Sequence, residues 1–184
     1  MPKKSSVTKE KIFESAFQLV REKGMEEFSA RRVAEAAGCS TQPIFRAYAN
    51  MGELEEEIFR FAADLFSARF EEEKSYSRVP FVNFGMTYIS FAREEPHLFR
   101  MLFINENILQ KSMYELVNGG SKNIVIKEIR NLEGLSPDEA GPIFMKVWLF
   151  IHGIACMIVR NDFDIPEDEM VSLLKETFGK FYEK

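Results

Sequence analysis

The sequence predicts an all-α protein of about nine helices, and three observations carry that prediction. Apolar residues recur at intervals of three and four along the chain, no stretch alternates with period two for long, and Gly, Pro and Asn punctuate it at helix-length spacing. With 184 residues, 46% of them hydrophobic, the chain can bury one sizeable core or a small domain beside a larger one.

The elements follow in order. Ile12, Phe13, Ala16, Phe17, Leu19 and Val20 form one apolar stripe behind a Thr8 N-cap, and Gly24 ends that helix. Ser29 opens a short second helix, "ARRVAEAA", which Gly38 closes. Ser40 is expected to cap a third helix in "STQPIFRAY". Pro43 then falls in its first turn, where a missing N–H has no intrahelical partner to lose. Asn50 with Glu53 three residues later reads as a capping box that starts a long helix to about Lys74. Arg78-Val79-Pro80 marks a break. Further helices are expected at about 81–94, 96–104, 107–131, 137–161 and 167–182, separated by Pro96, Asn105, "NLEGLSPDE" and "NDFDIPED".

Composition narrows the function classes. Cys39 and Cys156 make no spaced framework and point to a reducing compartment, and His97 and His152 are too few and too scattered for a metal site. The start "MPKKSSVTKEK" lacks the apolar run of a secretory signal. The run from Val147 to Val159, 13 residues, is too short to span a bilayer and reads as a buried helix. A cytoplasmic protein without a membrane partner is expected. No paired carboxylates, nucleophile–base set, Gly-rich phosphate loop or metal spacing stands out, so neither an enzyme nor a cofactor is expected. Charge is uneven. Residues 1–50 hold nine Lys/Arg against six Glu, +3, and the remainder holds 15 basic against 23 acidic residues, −8, which sum to −5. The first segment suits an anionic partner and the second a different task.

The segment "GCSTQPIFRAY" (38–48) carries the functional reading. Two short helices joined by a Gly-containing turn make a helix-turn-helix. Gly38 takes the left-handed turn conformation, and Ala34 and Ala37 keep the first helix slim. Ile44 and Tyr48, four apart, face inward toward Phe17, Phe28 and Val33. Thr41, Gln42 and Arg46 stay on the other face, at the end that enters a major groove, and Pro43 offers an apolar edge to a thymine methyl.

Over about residues 8–58, including "IFESAFQLVREKGMEEFSARRVAEAAGCSTQPIFRAYANMGELEEEI", the chain resembles the tetracycline-repressor-like family of transcription regulators. The Phe28-Ser29 step, the Ala37-Gly38 turn and the aromatic spacing at Phe45 and Tyr48 carry the likeness. "FAREEPHLFRMLF" (91–103) and Trp148-x-x-x-His152-Gly153 are similar to segments farther along such regulators. The resemblance implies a helix-turn-helix DNA-binding domain at 1–52 and a ligand-binding and dimerisation domain at 53–184. Ser29, Arg31, Ser40, Thr41, Gln42, Pro43, Phe45 and Arg46 would be the DNA contacts. The sequence departs from the family at Phe45, commonly Tyr, at Ala47, often His or Tyr, and at Met51, commonly Lys. Each change removes a phosphate-contacting group, and Lys3, Lys4, Lys9 and Lys11 are candidates to compensate.

The implied function is a repressor that binds a pseudo-palindromic operator as a homodimer and is released by a small hydrophobic effector. The dimer would form through 137–161 and 167–182, whose Phe144, Trp148, Ile151, Met157, Leu173, Leu174 and Phe178 exceed what one subunit is expected to cover. Phe84, Tyr88, Phe91, Phe103, Met113, Trp148 and His152 are the candidate effector contacts. For His152, a satisfied core group and a ligand contact both stay open. The alternative function is a helix-turn-helix scaffold acting through protein–protein contacts with weak DNA binding.

Overall fold

The computed structural model describes residues 7–69, 76–105 and 137–182. Among these it has eight α-helices and no strand: α1 (Lys9–Lys23), α2 (Ala30–Ala36), α3 (Gln42–Ala47), α4 (Met51–Arg69), α5 (Pro80–Glu94), α6 (Pro96–Phe103), α7 (Pro137–Val159) and α8 (Glu167–Tyr182). A single 3-10 turn, Met25–Glu27, lies between α1 and α2. The all-α expectation holds. The helix expected at 107–131, and the end of α4 expected near Lys74, lie outside the described residues.

The chain divides into two compact units, one of Met1–Leu65 with His97–Gln110 and the other of Phe66–Pro96 with Lys111–Lys184. In the first, α1 begins where Thr8 Oγ1 accepts from the Lys11 N–H at 3.3 Å, and it ends where the Gly24 N–H reaches the Val20 carbonyl at 2.8 Å. Its stripe of Ile12, Ala16, Phe17 and Val20 is buried with Val33 and Ala34 of α2, Ile44 of α3, Tyr48, and Leu54 and Ile58 of α4. Phe13 and Phe17 both meet the Phe61 ring edge-on, at centroid distances of 5.4 and 4.8 Å. Such edge-to-face pairs add about 0.5–1.5 kcal/mol each beyond the area they bury.

The turn after α2 is a Schellman motif. The Gly38 N–H donates to Glu35 O at 3.1 Å and the Cys39 N–H to Ala34 O at 2.9 Å, with Gly38 at φ +66°. The start of α3 differs from the expectation. Thr41, not Ser40, occupies the N-cap, with helical backbone angles and no capping bond from its side chain. Proline in the first turn of α3 leaves fewer orphan N–H groups for a cap to satisfy, which lowers the value of the Ser40 hydroxyl there. The capping box at α4 is present. Asn50 Oδ1 accepts from the Glu53 N–H at 3.0 Å, and Glu53 Oε2 accepts from the Ala49 N–H at 2.7 Å.

In the second unit α5, α7 and α8 pack on one another. Asn83 ties the entry to α5, its Oδ1 accepting from the Tyr76 and Ser77 N–H groups at 2.9 and 2.8 Å and its Nδ2 donating to Ser77 O. Arg93 closes the other end of α5 by pairing with Asp164 at 2.6 Å. The apolar stretch of α7 reaches 18 residues, Pro142–Val159, longer than the run expected from the sequence, because Lys146 is its one interruption. Its Phe144, Val147, Trp148, Ile151, Ile154 and Ala155 are buried within the protein. A second Schellman motif ends α7, with Asn161 at φ 60° and its N–H on Ile158 O at 2.9 Å. Phe144, Trp148, Ile151 and Leu174, expected to need a second subunit, are thus covered by α5 and its neighbours, as Phe81–Phe178 and Phe84–Trp148 ring contacts also show.

Two glycines are required for different reasons. At Gly38 a Cβ would meet open space, so only the backbone resists it; at Gly85 a Cβ would lie 2.9 Å from Leu174 Cδ1 and 3.0 Å from Ile151 Cδ1. Gly38→Ala is expected to cost about 1–2 kcal/mol through its left-handed conformation, and Gly38→Asn less. Gly85→Ala is expected to cost about 1–3 kcal/mol by overpacking the helix contact. Urea titrations of the three variants check both, and an Asn variant no better than Ala would refute the backbone account of Gly38.

Candidate nucleic-acid interface and aromatic cluster

The exposed face of α3 is built by what its other face buries. Ile44 and Tyr48 sit in the first unit's core at 0% and 2% exposure, which leaves Thr41, Gln42, Phe45 and Arg46 on the surface. Ser40 is exposed and Pro43 half-buried. Lys9 secures the end of this element. Its Nζ lies 4.5 Å from the centre of the Tyr48 ring and 3.1 Å from Glu57 Oε2. Burial, and then the nearby Glu57 carboxylate, push the Tyr48 hydroxyl well above its ordinary range.

The two arginines of α2 have different fates. Arg32 Nε donates to Glu27 at 2.7 Å, a second guanidinium nitrogen bonds the same carboxylate, and Glu35 lies 3.7 Å away. That pairing holds the guanidinium more firmly protonated than usual. Arg31 is exposed and, like Arg46, has no acidic partner among the described residues. Ser29 accepts from the Arg32 N–H at 3.4 Å and so caps α2 beside them. Arg31 of α2 and Arg46 of α3 are thus exposed guanidinium groups without an acidic partner among the described residues. Of the lysines expected to compensate, Lys9 is already engaged by Glu57 and Tyr48, and Lys11 is exposed on α1. Lys3 and Lys4 lie outside the described residues.

In the second unit a run of rings crosses from α5 to α7. Tyr88 meets Trp148 edge-on at 4.8 Å, Trp148 stacks on His152 at 5.9 Å with 11° between planes, and Phe84 and Phe144 flank Trp148 at 6.0 and 6.1 Å. Phe66 joins the cluster to Phe91 at 5.1 Å. His152 has both ring nitrogens engaged: Nδ1 is 2.9 Å from the Tyr88 hydroxyl and Nε2 is 3.4 Å from Cys156 Sγ. Either tautomer serves both neighbours, since Tyr O–H and Cys S–H each donate or accept. Burial holds the His152 pKa below its ordinary value and raises those of Tyr88 and Cys156, so all three are neutral near pH 7.

Residues 12–58 match the family model described as bacterial regulatory proteins, tetR family. Residues 81–177, more than half of the chain, match the one described as tetracyclin repressor-like, C-terminal domain. The chain belongs to the tetracycline-repressor-like family. No curated protein matches it. As a member of this family it is a DNA-binding transcription regulator, and α2 with α3 is its helix-turn-helix.

Of the pocket residues read from the sequence of this family member, Phe84, Tyr88, Phe91, Trp148 and His152 come together in the second unit. Phe103 belongs to the first unit, where its ring lies 5.0 Å from Phe99, and Met113 lies outside the described residues. Sequence reasoning gave Phe144 to the dimer contact and gave Cys156 no part in this cluster. Both lie four residues from Trp148 or His152 on α7, a spacing that could have found them.

Two outcomes follow. Arg31→Ala is expected to reduce the salt slope of duplex binding by about one per subunit, whereas Arg32→Ala leaves that slope unchanged. Binding isotherms over a series of salt concentrations distinguish them, and equal slopes would break the assignment. His152 binds a proton less readily folded than unfolded, so its contribution to stability is intact above about pH 6.5 and is lost as pH falls below it. His152→Gln is expected to flatten the acid side of the stability profile measured by urea denaturation.

Proposed function

We propose that the protein is a repressor that binds a pseudo-palindromic operator as a homodimer and is released by a small, mainly apolar effector. The observation that carries the reading is the division of labour on α3. Its buried face fixes the helix in the domain, and its open face holds polar groups and an unpaired arginine where a groove-reading helix needs them. Ser29, Arg31, Ser40, Thr41, Gln42, Pro43, Phe45 and Arg46 are the proposed contacts, with 1–52 as the DNA-binding domain and 53–184 as the effector and dimerisation domain. A cytoplasmic location accords with this function.

The effector would engage the ring cluster of the second unit. Phe84, Trp148 and Phe144 are buried apolar rings that an effector would have to part, and the Tyr88–His152 pair is one polar point among them without net charge. Such a lining of rings with few polar groups suits a compact hydrophobic ligand. An effector shifts a repressor only by binding one state better than another, and operator must then weaken effector binding by the same factor. A thermal-shift screen of apolar compounds, with each hit retested for operator release, examines the proposal. Stabilising hits that leave operator affinity unchanged would refute a regulatory site.

Dimerisation draws support from α7. Met145, Leu149 and Met157 are spaced by multiples of four and are 44, 63 and 45% exposed, so they form an apolar stripe left open in one subunit. An isologous two-fold contact would cover it, and two heads would then address half-sites roughly 34–36 Å apart or a multiple of that. Leu149→Asp is expected to yield a folded monomer with weak operator binding. Light scattering and circular dichroism check this, and a dimer that survives the change would move the interface elsewhere.

A further inference from the structure

We propose that Phe45 reads a thymine methyl group in each operator half-site. The inference deepens the reading of α3 as the groove-facing helix and rests on it. Phe45 is 52% exposed, although the core beside it buries Ile44 and Tyr48 almost completely. Leaving so much ring in water forgoes the stabilisation that burial would give. The ring also stands between polar neighbours on the same face, with Thr41 four residues before it, Gln42 three before it and Arg46 next to it. A protein partner that sought an apolar contact would have to desolvate those groups, whereas a duplex satisfies them with phosphates and base edges.

The chemistry of the ring then decides what it can touch. Phenylalanine has no donor or acceptor, so it cannot bond a phosphate or the polar edge of any base. The major groove presents one apolar feature, the C5 methyl of thymine. Arg31 and Arg46 supply the charge that holds the helix on the backbone, and Gln42 can pair with a base edge. Phe45 is left to discriminate by the methyl alone, and a thymine replaced by uracil keeps every hydrogen bond while removing that contact.

The experiment uses the full-length protein. A duplex is first selected from a random-sequence library, and each of its thymines is then replaced singly by deoxyuridine. One thymine per half-site is expected to lose about four-fold in affinity on losing its methyl, the weight of one buried methyl-sized group. Phe45→Leu, which keeps an apolar side chain, retains most of that penalty. Phe45→Ala binds both duplexes alike. Phe45→Gln, with similar reach and no apolar face, repeats the test independently of how the alanine variant folds. A wild type indifferent to every methyl, or alanine and glutamine variants that keep the full penalty, would overturn the proposal. Selection of no duplex above background would instead overturn the groove-facing reading on which it stands.

Discussion

A helix of six residues completes fewer than two turns and cannot persist in water on its own backbone bonds, so the orientation of α3 is borrowed from its surroundings. Ile44 and Tyr48 anchor one side in the core. The Schellman turn at Gly38 fixes the approach, and the Asn50–Glu53 box starts α4 with only three residues between it and α3. Lys9 then joins α1 to Tyr48 and to Glu57 of α4. Each device is modest alone. Together they hold the exposed side chains of α3 on a platform that does not depend on the helix's own cohesion.

The second unit solves a different problem with the same means. A histidine among aromatic rings would be costly if either nitrogen were left without a partner, at about 1–3 kcal/mol for an unsatisfied buried polar group. Tyr88 from α5 and Cys156 from one turn along α7 remove that cost. The cluster is thus apolar in most of its surface and polar at one satisfied point. A ligand entering there would have to exchange hydrogen bonds with His152 or leave them intact, and this restricts its shape more than its charge.

What the sequence disclosed was mostly local. Thr8, Gly24, Ser29, Gly38 and Asn50 with Glu53 were legible because caps and turns depend on residues only a few positions apart. Ser40 failed as a cap because its value depends on which N–H groups proline has already removed. Arg31 and Arg32 could not be told apart, since Glu27 lies in the turn before α2 and only folding brings it to Arg32. The link between Tyr88 and His152 spans 64 residues, beyond any pattern along one helix. On α7 both faces are apolar, so periodicity did not separate Trp148 and Ile151, buried in the chain, from Leu149, left outside.

The engagement of Arg32 by Glu27 has a consequence for how the regulator travels. Every cation that neutralises a phosphate strengthens its hold on any duplex, whatever the base sequence. A guanidinium already spent on a neighbouring carboxylate contributes little to that indiscriminate hold, and Lys9 is committed in the same way. On a duplex held through α2 and α3, fewer free cations would mean shorter stays at the many wrong sites of a genome and occupancy weighted toward sites where the bases themselves fit.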